Sequence, residues 1–163
     1  MPKSSISKIR RPGFDEYFMD IAAAVSSRSS CIRRQIGAVI VKDRRIISTG
    51  YNGTPRGTKN CDEGGCHRCS STAESGTKLG ECLCSHAEEN AIIQAAYHGI
   101  GVKGGVLYTT HSPCLLCTKL ILNSGIAEVV YNMAYPVGEM PVKMFDQAGI
   151  TLRKLKLSKI NHA

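Results

Sequence analysis

Residues 86–117 read HAEENAIIQAAYHGIGVKGGVLYTTHSPCLLC, and this stretch decides the fold. From Ala87 to Tyr97 it consists largely of good helix formers, with Ala91, Ile92 and Ala95 on one face, and Gly99 and Gly101 end the helix. Val106 to Thr110 is a β-prone run and predicts a strand. Cys114 to Leu122 predicts a second helix, with Pro113 at its start and Gly125 beyond its end. The alternation continues downstream, with a strand over Glu128 to Tyr131, a helix over Met140 to Gln147 stopped by Gly149, and a last alternating strand over Thr151 to Leu157. Strand, helix, strand, helix, strand implies a parallel sheet with right-handed crossovers and helices packed on its faces, the α/β class.

Upstream, Phe14, Tyr17, Phe18, Ile21, Ala22 and Val25 recur at three- and four-residue steps and predict an amphipathic helix over 14–29. Ile36 to Val41 and Arg45 to Gly50 are β-branched runs around Lys42-Asp43-Arg44, which reads as a hairpin. From Tyr51 to Ser85 the chain is rich in Gly, Ser, Thr and Cys and has no apolar period. A structureless segment of that length inside a compact domain needs an explanation, and metal coordination supplies one. There is no internal repeat and no low-complexity linker. The length of 163 residues suits a single domain over 1–163, with its core over about 14–157 and flexible basic ends over 1–11 and 158–163.

A hydrophobic fraction of 42% and a charged fraction of 21% exclude wholesale disorder and fibrous architectures. No apolar run approaches the roughly 20 residues of a membrane helix. Lys3, Lys8, Arg10 and Arg11 have no apolar stretch behind them that could act as a signal-peptide core, so the expected location is cytoplasmic, without a membrane partner. In a reducing compartment the eight cysteines point to metal rather than to disulfides. The net charge of +8 suggests a negatively charged partner. Much of it lies near the ends, at Arg153, Lys154, Lys156 and Lys159 among others, where a solvated face accounts for it.

The chemistry concentrates in His86-Ala87-Glu88 and Pro113-Cys114-Leu115-Leu116-Cys117. One imidazole and two thiolates make three zinc ligands and leave the fourth tetrahedral position open, the layout of a catalytic zinc site. Cys114 and Cys117 sit three apart at a helix start, where both sulfurs can face one metal and the helix dipole favours thiolate. His86 and Glu88 are about 200° apart around a regular helix, so they share a site only if His86 lies at or before the first turn, with Ser85 as the N-cap. Glu88 is then the proton carrier, because zinc lowers the pKa of a bound water to about 7 and a neighbouring carboxylate can take that proton. A structural zinc knuckle would normally be closed by a fourth protein ligand and would have no use for Glu88.

With these motifs the sequence resembles the deoxycytidylate (dCMP) deaminase family. Gly50-Tyr51-Asn52-Gly53-Thr54-Pro55 matches the family's GYNG segment, His86-Ala87-Glu88-Glu89-Asn90 its HAExN segment, and Ser112-Pro113-Cys114-Leu115-Leu116-Cys117 its PCxxC segment. The resemblance runs from about Tyr17 to Leu157. It implies a three-layer α-β-α cytidine deaminase-like fold with a mixed five-stranded sheet and a zinc-stapled loop insertion. It also implies hydrolysis of dCMP to dUMP and ammonia, feeding thymidylate synthesis, with Glu88 catalytic and zinc on His86, Cys114 and Cys117. Asn52 would touch the deoxynucleotide and Tyr135 would help close the pocket. Arg33 or Arg34, beside the first strand, is the candidate for the 5′-phosphate, with Arg34 preferred. The resemblance further implies a homo-oligomer, commonly a hexamer, activated by dCTP and inhibited by dTTP with Mg2+, the effector binding around Asn52 and Gly53.

The other six cysteines are Cys31, Cys61, Cys66, Cys69, Cys82 and Cys84. Cys66-x-x-Cys69 has the spacing of a zinc half-site, and Cys82-x-Cys84 lies close enough to His86 to tie the loop to the catalytic helix, so a second, structural zinc is expected. The family resemblance suggests Cys31, Cys61 and Cys84 as ligands. Cys69 is taken as the fourth, with Cys66, Cys82 and His67 competing; six thiolates could also hold a two-metal cluster, or one or two could simply be buried. His98, His111 and His162 read as ordinary packing or surface residues, His111 with reservation because it adjoins the zinc motif. Two alternatives stand beside a dCMP deaminase. One is a deaminase acting on tRNA or single-stranded DNA, disfavoured because no Trp and only three Phe are available to stack splayed bases. The other is a non-catalytic zinc-stabilised module that binds nucleic acid through its basic ends.

Overall fold

The structure, a computed structural model, describes residues 10–136 and 138–156. The basic ends expected to be flexible lie outside these residues apart from Arg10 and Arg11, as does Leu157 at the expected end of the last strand. The elements in chain order are α1 (Phe14–Ser26), β1 (Gly37–Lys42), β2 (Arg45–Tyr51), the short α2 (His67–Ser70), α3 (Ala87–Tyr97), β3 (Val106–His111), α4 (Leu115–Ser124), β4 (Glu128–Met133), α5 (Met140–Gln147) and β5 (Thr151–Lys154).

The five strands form one sheet in the order β2-β1-β3-β4-β5. β1 is antiparallel to both β2 and β3, whereas β3, β4 and β5 run parallel. The sheet is therefore mixed: the parallel part belongs to the strand-helix alternation of the second half, and the antiparallel edge to the hairpin. Side chains alternate between its faces, as strand geometry requires. Ala38, Ile40, Leu107 and Val129 pack with Ala87, Ala91 and Ala95 of α3, Ile121 of α4 and Phe145 of α5. Val39, Val41, Tyr108 and Val130 pack with Phe18, Met19 and Ala22 of α1. One helix on one face and three on the other make the three layers.

Two glycines permit the close approach of these layers. A Cβ on Gly50 would meet the Ala87 carbonyl oxygen and the backbone of Ala91, whose Cα lies 2.9 Å away, so β2 and the start of α3 touch backbone to backbone. A Cβ on Gly37 would meet the Ala22 carbonyl oxygen and Ser26 N, the latter at 2.6 Å, which seats α1 on β1.

Boundaries differ from expectation where side chains or turns compete with the regular ladder. α1 ends at Ser26 rather than at 29, because the Ser26 and Ser27 hydroxyls donate to the Ala23 and Ala24 carbonyls at 2.7 Å each and the chain turns. The hairpin turn is the two residues Asp43 and Arg44, both with positive φ (50° and 60°), and Lys42 pairs with Arg45. This is the handedness that a two-residue turn needs to match strand twist. β5 stops at Lys154 instead of running to 157, and β4 extends to Met133. The segment between β2 and α3 contains short turns at Cys61–Glu63 and Leu79–Glu81 besides α2. Among the described residues no helix is long and apolar enough to cross a membrane.

Candidate active site

The N-terminal ends of α3 and α4 meet beside the end of β3. His86 is itself the N-cap of α3, extended at φ −79° and ψ 161°, and the Glu89 carboxylate accepts its backbone N–H at 3.1 Å. The cap is thus one residue later than the expected Ser85, whose carbonyl instead accepts the Gly53 N–H at 3.1 Å. As a half-in residue His86 escapes the regular helical angle and can share a site with Glu88. Cys114 caps α4 in the same way, with Cys117 inside its first turn.

His86, Cys114 and Cys117 converge: their ligand atoms all lie within 4.8 Å of one another. His86 Nδ1 is 3.3 Å from each of the two sulfurs. A tetrahedral zinc with bonds of about 2.3 Å to sulfur and about 2.0–2.1 Å to nitrogen places such donors roughly 3.5 Å apart, so the set fits that ion. The electrostatics agree. Cys114 is drawn down to about 4, first by the hydrogen bond from Cys117 and then by His86. Cys117 is pushed up by its hydrogen bond to Cys114 and by burial. The Cys114 thiolate also lifts His86 to about 9. A divalent cation would take the place of the protons that this group of donors otherwise shares.

Glu88 is buried among these groups. Its Oε1 accepts from Thr109 Oγ1 at 3.1 Å, and its Oε2 lies 3.6 Å from Cys117 Sγ. Burial, the dominant cause, raises its pKa above the usual carboxylate range, against the opposing pull of its own backbone N–H, His86 and Thr109. The group therefore holds a proton more readily than an exposed carboxylate, as a proton carrier must.

His86, Glu88 and Cys114 open onto a cleft that Arg34, Asn52, His111 and Tyr135 also line. Of the two candidate arginines, Arg33 is committed to backbone: its Nε donates to the Cys69 carbonyl at 2.7 Å, and its Nη2 donates to the Ser71 carbonyl. Arg34 instead lies over the Tyr135 ring, 4.7 Å from the centroid, with one contact to Ser75 Oγ at 3.3 Å. The Tyr135 backbone is held in turn by its N–H, which donates to Ser112 Oγ at 2.8 Å.

Asn52 sits in the cleft wall with most of its amide already engaged. Its Oδ1 accepts from Ser29 Oγ and from the Ile36 N–H, each at 2.8 Å, and its Nδ2 donates to the Arg34 carbonyl at 2.7 Å. One N–H remains to meet a ligand. Gly53 is paired to Ser85 through its own N–H. His111 is not an ordinary packing residue. It lines the cleft, stands edge-on to Tyr135, and is held down to about 4 by burial and by the Arg34 charge, so it presents a neutral imidazole. Its position at the end of β3, directly before Ser112-Pro113-Cys114, was the available signal.

The remaining six cysteines gather beside the cleft. Cys31, Cys61, Cys69 and Cys84 form one set of mutually close sulfurs, and Cys66, Cys69, Cys82 and Cys84 form another. All eight thiols are free of disulfides. Cys31 is drawn down to about 4, chiefly by Cys84, and Cys82 to about 5, also chiefly by Cys84. Cys69 is pushed up, mainly by burial, and Cys84 mainly by its two thiolate neighbours. His67 is exposed and belongs to neither set; of the competing ligands it is the one that the fold turns away.

The family described as the cytidine and deoxycytidylate deaminase zinc-binding region matches residues 12–133. A deoxycytidylate deaminase of Schizosaccharomyces pombe is 45% identical over 144 residues, which cover 88% of this chain and 44% of that protein. The chain thus spans under half the length of that relative. A deoxycytidylate deaminase of Mycobacterium phage D29 is 44% identical over 126 residues, 74% of this chain and 95% of the phage protein. The crystal structure of dCMP deaminase from the cyanophage S-TIM5 in complex with dCMP and dUMP superposes with a TM-score of 0.73 at 32% identity, covering 90% of this chain and all of that one.

Proposed function

The chain belongs to the cytidine and deoxycytidylate deaminase family, and from that membership we propose that it hydrolyses the 4-amino group of dCMP to give dUMP and ammonia. The observation that carries the reading is Glu88: a buried carboxylate with raised proton affinity, 3.6 Å from one member of the His86, Cys114 and Cys117 donor set. No non-catalytic zinc site needs it.

His86, Cys114 and Cys117 would hold a zinc ion, which would supply a water with its pKa lowered to about 7. Glu88 takes one proton from the water whose oxygen bonds to C4 and delivers it to N3; it then takes the remaining proton of that oxygen and passes it to the 4-amino group, which leaves as ammonia as the C4–N bond breaks and the C4 carbonyl forms. Thr109 fixes one oxygen of that carboxylate so that the other faces the donor set. Arg34 meets the 5′-phosphate and Tyr135 lies along the nucleotide, the guanidinium being held over the ring. The last amide N–H of Asn52 is left for the sugar or base. His111, neutral at physiological pH, adds a polar wall without adding charge.

The same membership supports the regulatory and assembly parts of the proposal: a cytoplasmic homo-oligomer, hexameric by resemblance, activated by dCTP and inhibited by dTTP with Mg2+. The exposed apolar side chains Ile93 and Tyr97 of α3 and Leu116 and Leu120 of α4 suit subunit contacts. With the Gly53 N–H already paired, an effector phosphate in that loop would be met by other groups.

The deciding experiment is Glu88→Gln. Zinc content and thermal unfolding should match those of the parent, while ammonia release from dCMP falls by about 10²- to 10⁴-fold, the usual contribution of a positioned general acid and base. Ammonia release at the parental rate in a variant that retains zinc removes Glu88 from the chemistry and the proposal with it.

A further inference from the structure

We infer that Cys31 and the five loop cysteines bind two zinc ions as a single cluster, with Cys69 and Cys84 bridging, Cys31 and Cys61 completing one tetrahedron, and Cys66 and Cys82 the other. The inference goes beyond the deaminase reading and does not depend on it.

The first ground is geometry. Two quartets of sulfurs each have all members within 4.8 Å of one another, and the quartets share two residues, Cys69 and Cys84. Two tetrahedra sharing an edge have this connectivity. Zinc–sulfur bonds of about 2.3 Å put the sulfurs of one tetrahedron about 3.8 Å apart. The sulfurs of Cys31 and Cys69 are 3.8 Å apart, those of Cys66 and Cys82 3.8 Å, and those of Cys69 and Cys82 3.7 Å. Disulfide sulfurs would lie about 2.05 Å apart.

The second ground is packing. A structural cysteine that carries no metal normally sits as a small hydrophobe among aliphatic neighbours. Here Cys61, Cys66, Cys69 and Cys84 form a buried cluster with Cys31 and Cys82 against it, and no other hydrophobic residue belongs to it. Sulfur is the whole of this cluster. Apart from turns of three or four residues the loop has no regular structure of its own, so coordination bonds are what it has to fold around.

The third ground is that a single ion leaves ligands over. One zinc on Cys31, Cys61, Cys69 and Cys84 would strand Cys66, which is fully buried, with its sulfur accepting the Leu83 N–H at 3.3 Å, beside Cys82. An N–H donated to sulfur is a bond that a thiolate accepts well. Two zinc ions on six thiolates also carry the same formal charge as one zinc on four, so the second ion adds coordination bonds without adding net charge.

Zinc content per chain and zinc-edge X-ray absorption on the purified full chain test the assignment. The unmodified protein should hold about three zinc ions, one in the deaminase site and two in the loop, and show a zinc–zinc scattering path at roughly 3 Å, the separation that edge-shared tetrahedra with bonds of this length allow. Cys66→Ser should lower the count to about two and abolish the zinc–zinc path, because the Cys31, Cys61, Cys69 and Cys84 set survives. Cys69→Ser, which removes a bridge, should lower it to about one. Two ions or fewer in the unmodified chain without a metal–metal path, or a Cys66→Ser protein with the parental count, overturns the cluster. If the Cys69→Ser protein does not fold, the absorption spectrum of the unmodified chain decides by itself. An active deaminase with one loop zinc would refute the cluster alone, and an inactive protein with the short metal–metal path would support it while the deaminase proposal fails.

Discussion

Replacing Thr109 with Val probes how Glu88 is held in its proton-accepting state. Thr109 has no exposed surface, and Val nearly preserves its shape while deleting the hydroxyl that donates to Glu88 Oε1 at 3.1 Å. A hydrogen bond to a charged group contributes about 1.5–3 kcal/mol, and about 1.4 kcal/mol corresponds to one pH unit. The hydroxyl stabilises the carboxylate and not the acid, so its loss adds to the upward push that burial already exerts. The acid limb of kcat/KM, which reports the essential base of the free enzyme, should therefore move to higher pH by about one to two pH units. The alkaline limb should stay in place. Ammonia release from dCMP followed between about pH 5 and 9, with zinc content measured at the same time, reads the shift. A variant that binds zinc and folds but keeps the parental acid limb refutes the reasoning. A drop in kcat that is uniform across pH would give Thr109 only a packing role between β3 and α3.

Arg34→Gln should lower kcat/KM for dCMP by roughly 10- to 100-fold, the equivalent of one charge-assisted hydrogen bond, and leave the slower turnover of deoxycytidine nearly unchanged. Equal losses on both substrates in parallel kinetics would take the phosphate away from Arg34. Asp15 ties α1 to the far edge of the sheet: it accepts from Arg153 Nη1 at 2.7 Å and from Tyr108 Oη at 2.8 Å, and the Arg153 hydrogen bond is the main cause that holds its carboxyl below the ordinary value of 3.8. A depressed folded pKa means that the pair's stabilisation is present above about pH 3.8 and lost as pH falls through the folded value. Because both partners are partly exposed, solvent screening limits it to about 0.5–1 kcal/mol. Urea midpoints of parent and Asp15→Asn should accordingly differ at neutral pH and draw together as pH falls below the ordinary value of 3.8; a gap that stays constant throughout that descent would assign it to packing instead.

Most of the fold was legible because its signals are local. The apolar spacing of Phe14 to Val25, the β-branched hairpin and the strand-helix alternation after Ala87 depend only on neighbours along the chain, and the elements formed where those patterns lie. The misplaced boundaries arise where a side chain competes for backbone groups. The sequence shows Ser26 and Ser27 but not whether their hydroxyls will take the Ala23 and Ala24 carbonyls. It shows Ser85 as a good cap but not that Gly53 will claim its carbonyl. The site divides in the same way. The convergence of His86, Glu88, Cys114 and Cys117 was legible because metal-ligand motifs constrain spacing and residue type together. The place of His111 in the cleft was not, since it depends on which strand end faces that way. Asn52 presents the reverse case: the motif picks it out, yet three of its hydrogen bonds go to Ser29, Ile36 and Arg34 rather than to a ligand.

The partition of the loop thiols was the least legible feature, because sulfur–sulfur proximity is set by how three separate segments fold against one another. Those same contacts join the loop to the chemistry. Cys31 precedes Arg33, whose guanidinium grips the Cys69 and Ser71 carbonyls; the next residue, Arg34, is then left facing Tyr135 across the cleft. Cys84 lies two residues before His86, the N-cap of α3, while Asn52 stitches the Arg34 to Ile36 stretch to the end of β2. The cysteine core therefore braces both the arm that would meet the phosphate and the residue that would hold the catalytic zinc. A loop of this composition has few apolar groups with which to achieve that placement, and metal coordination is the interaction its residues are equipped to make.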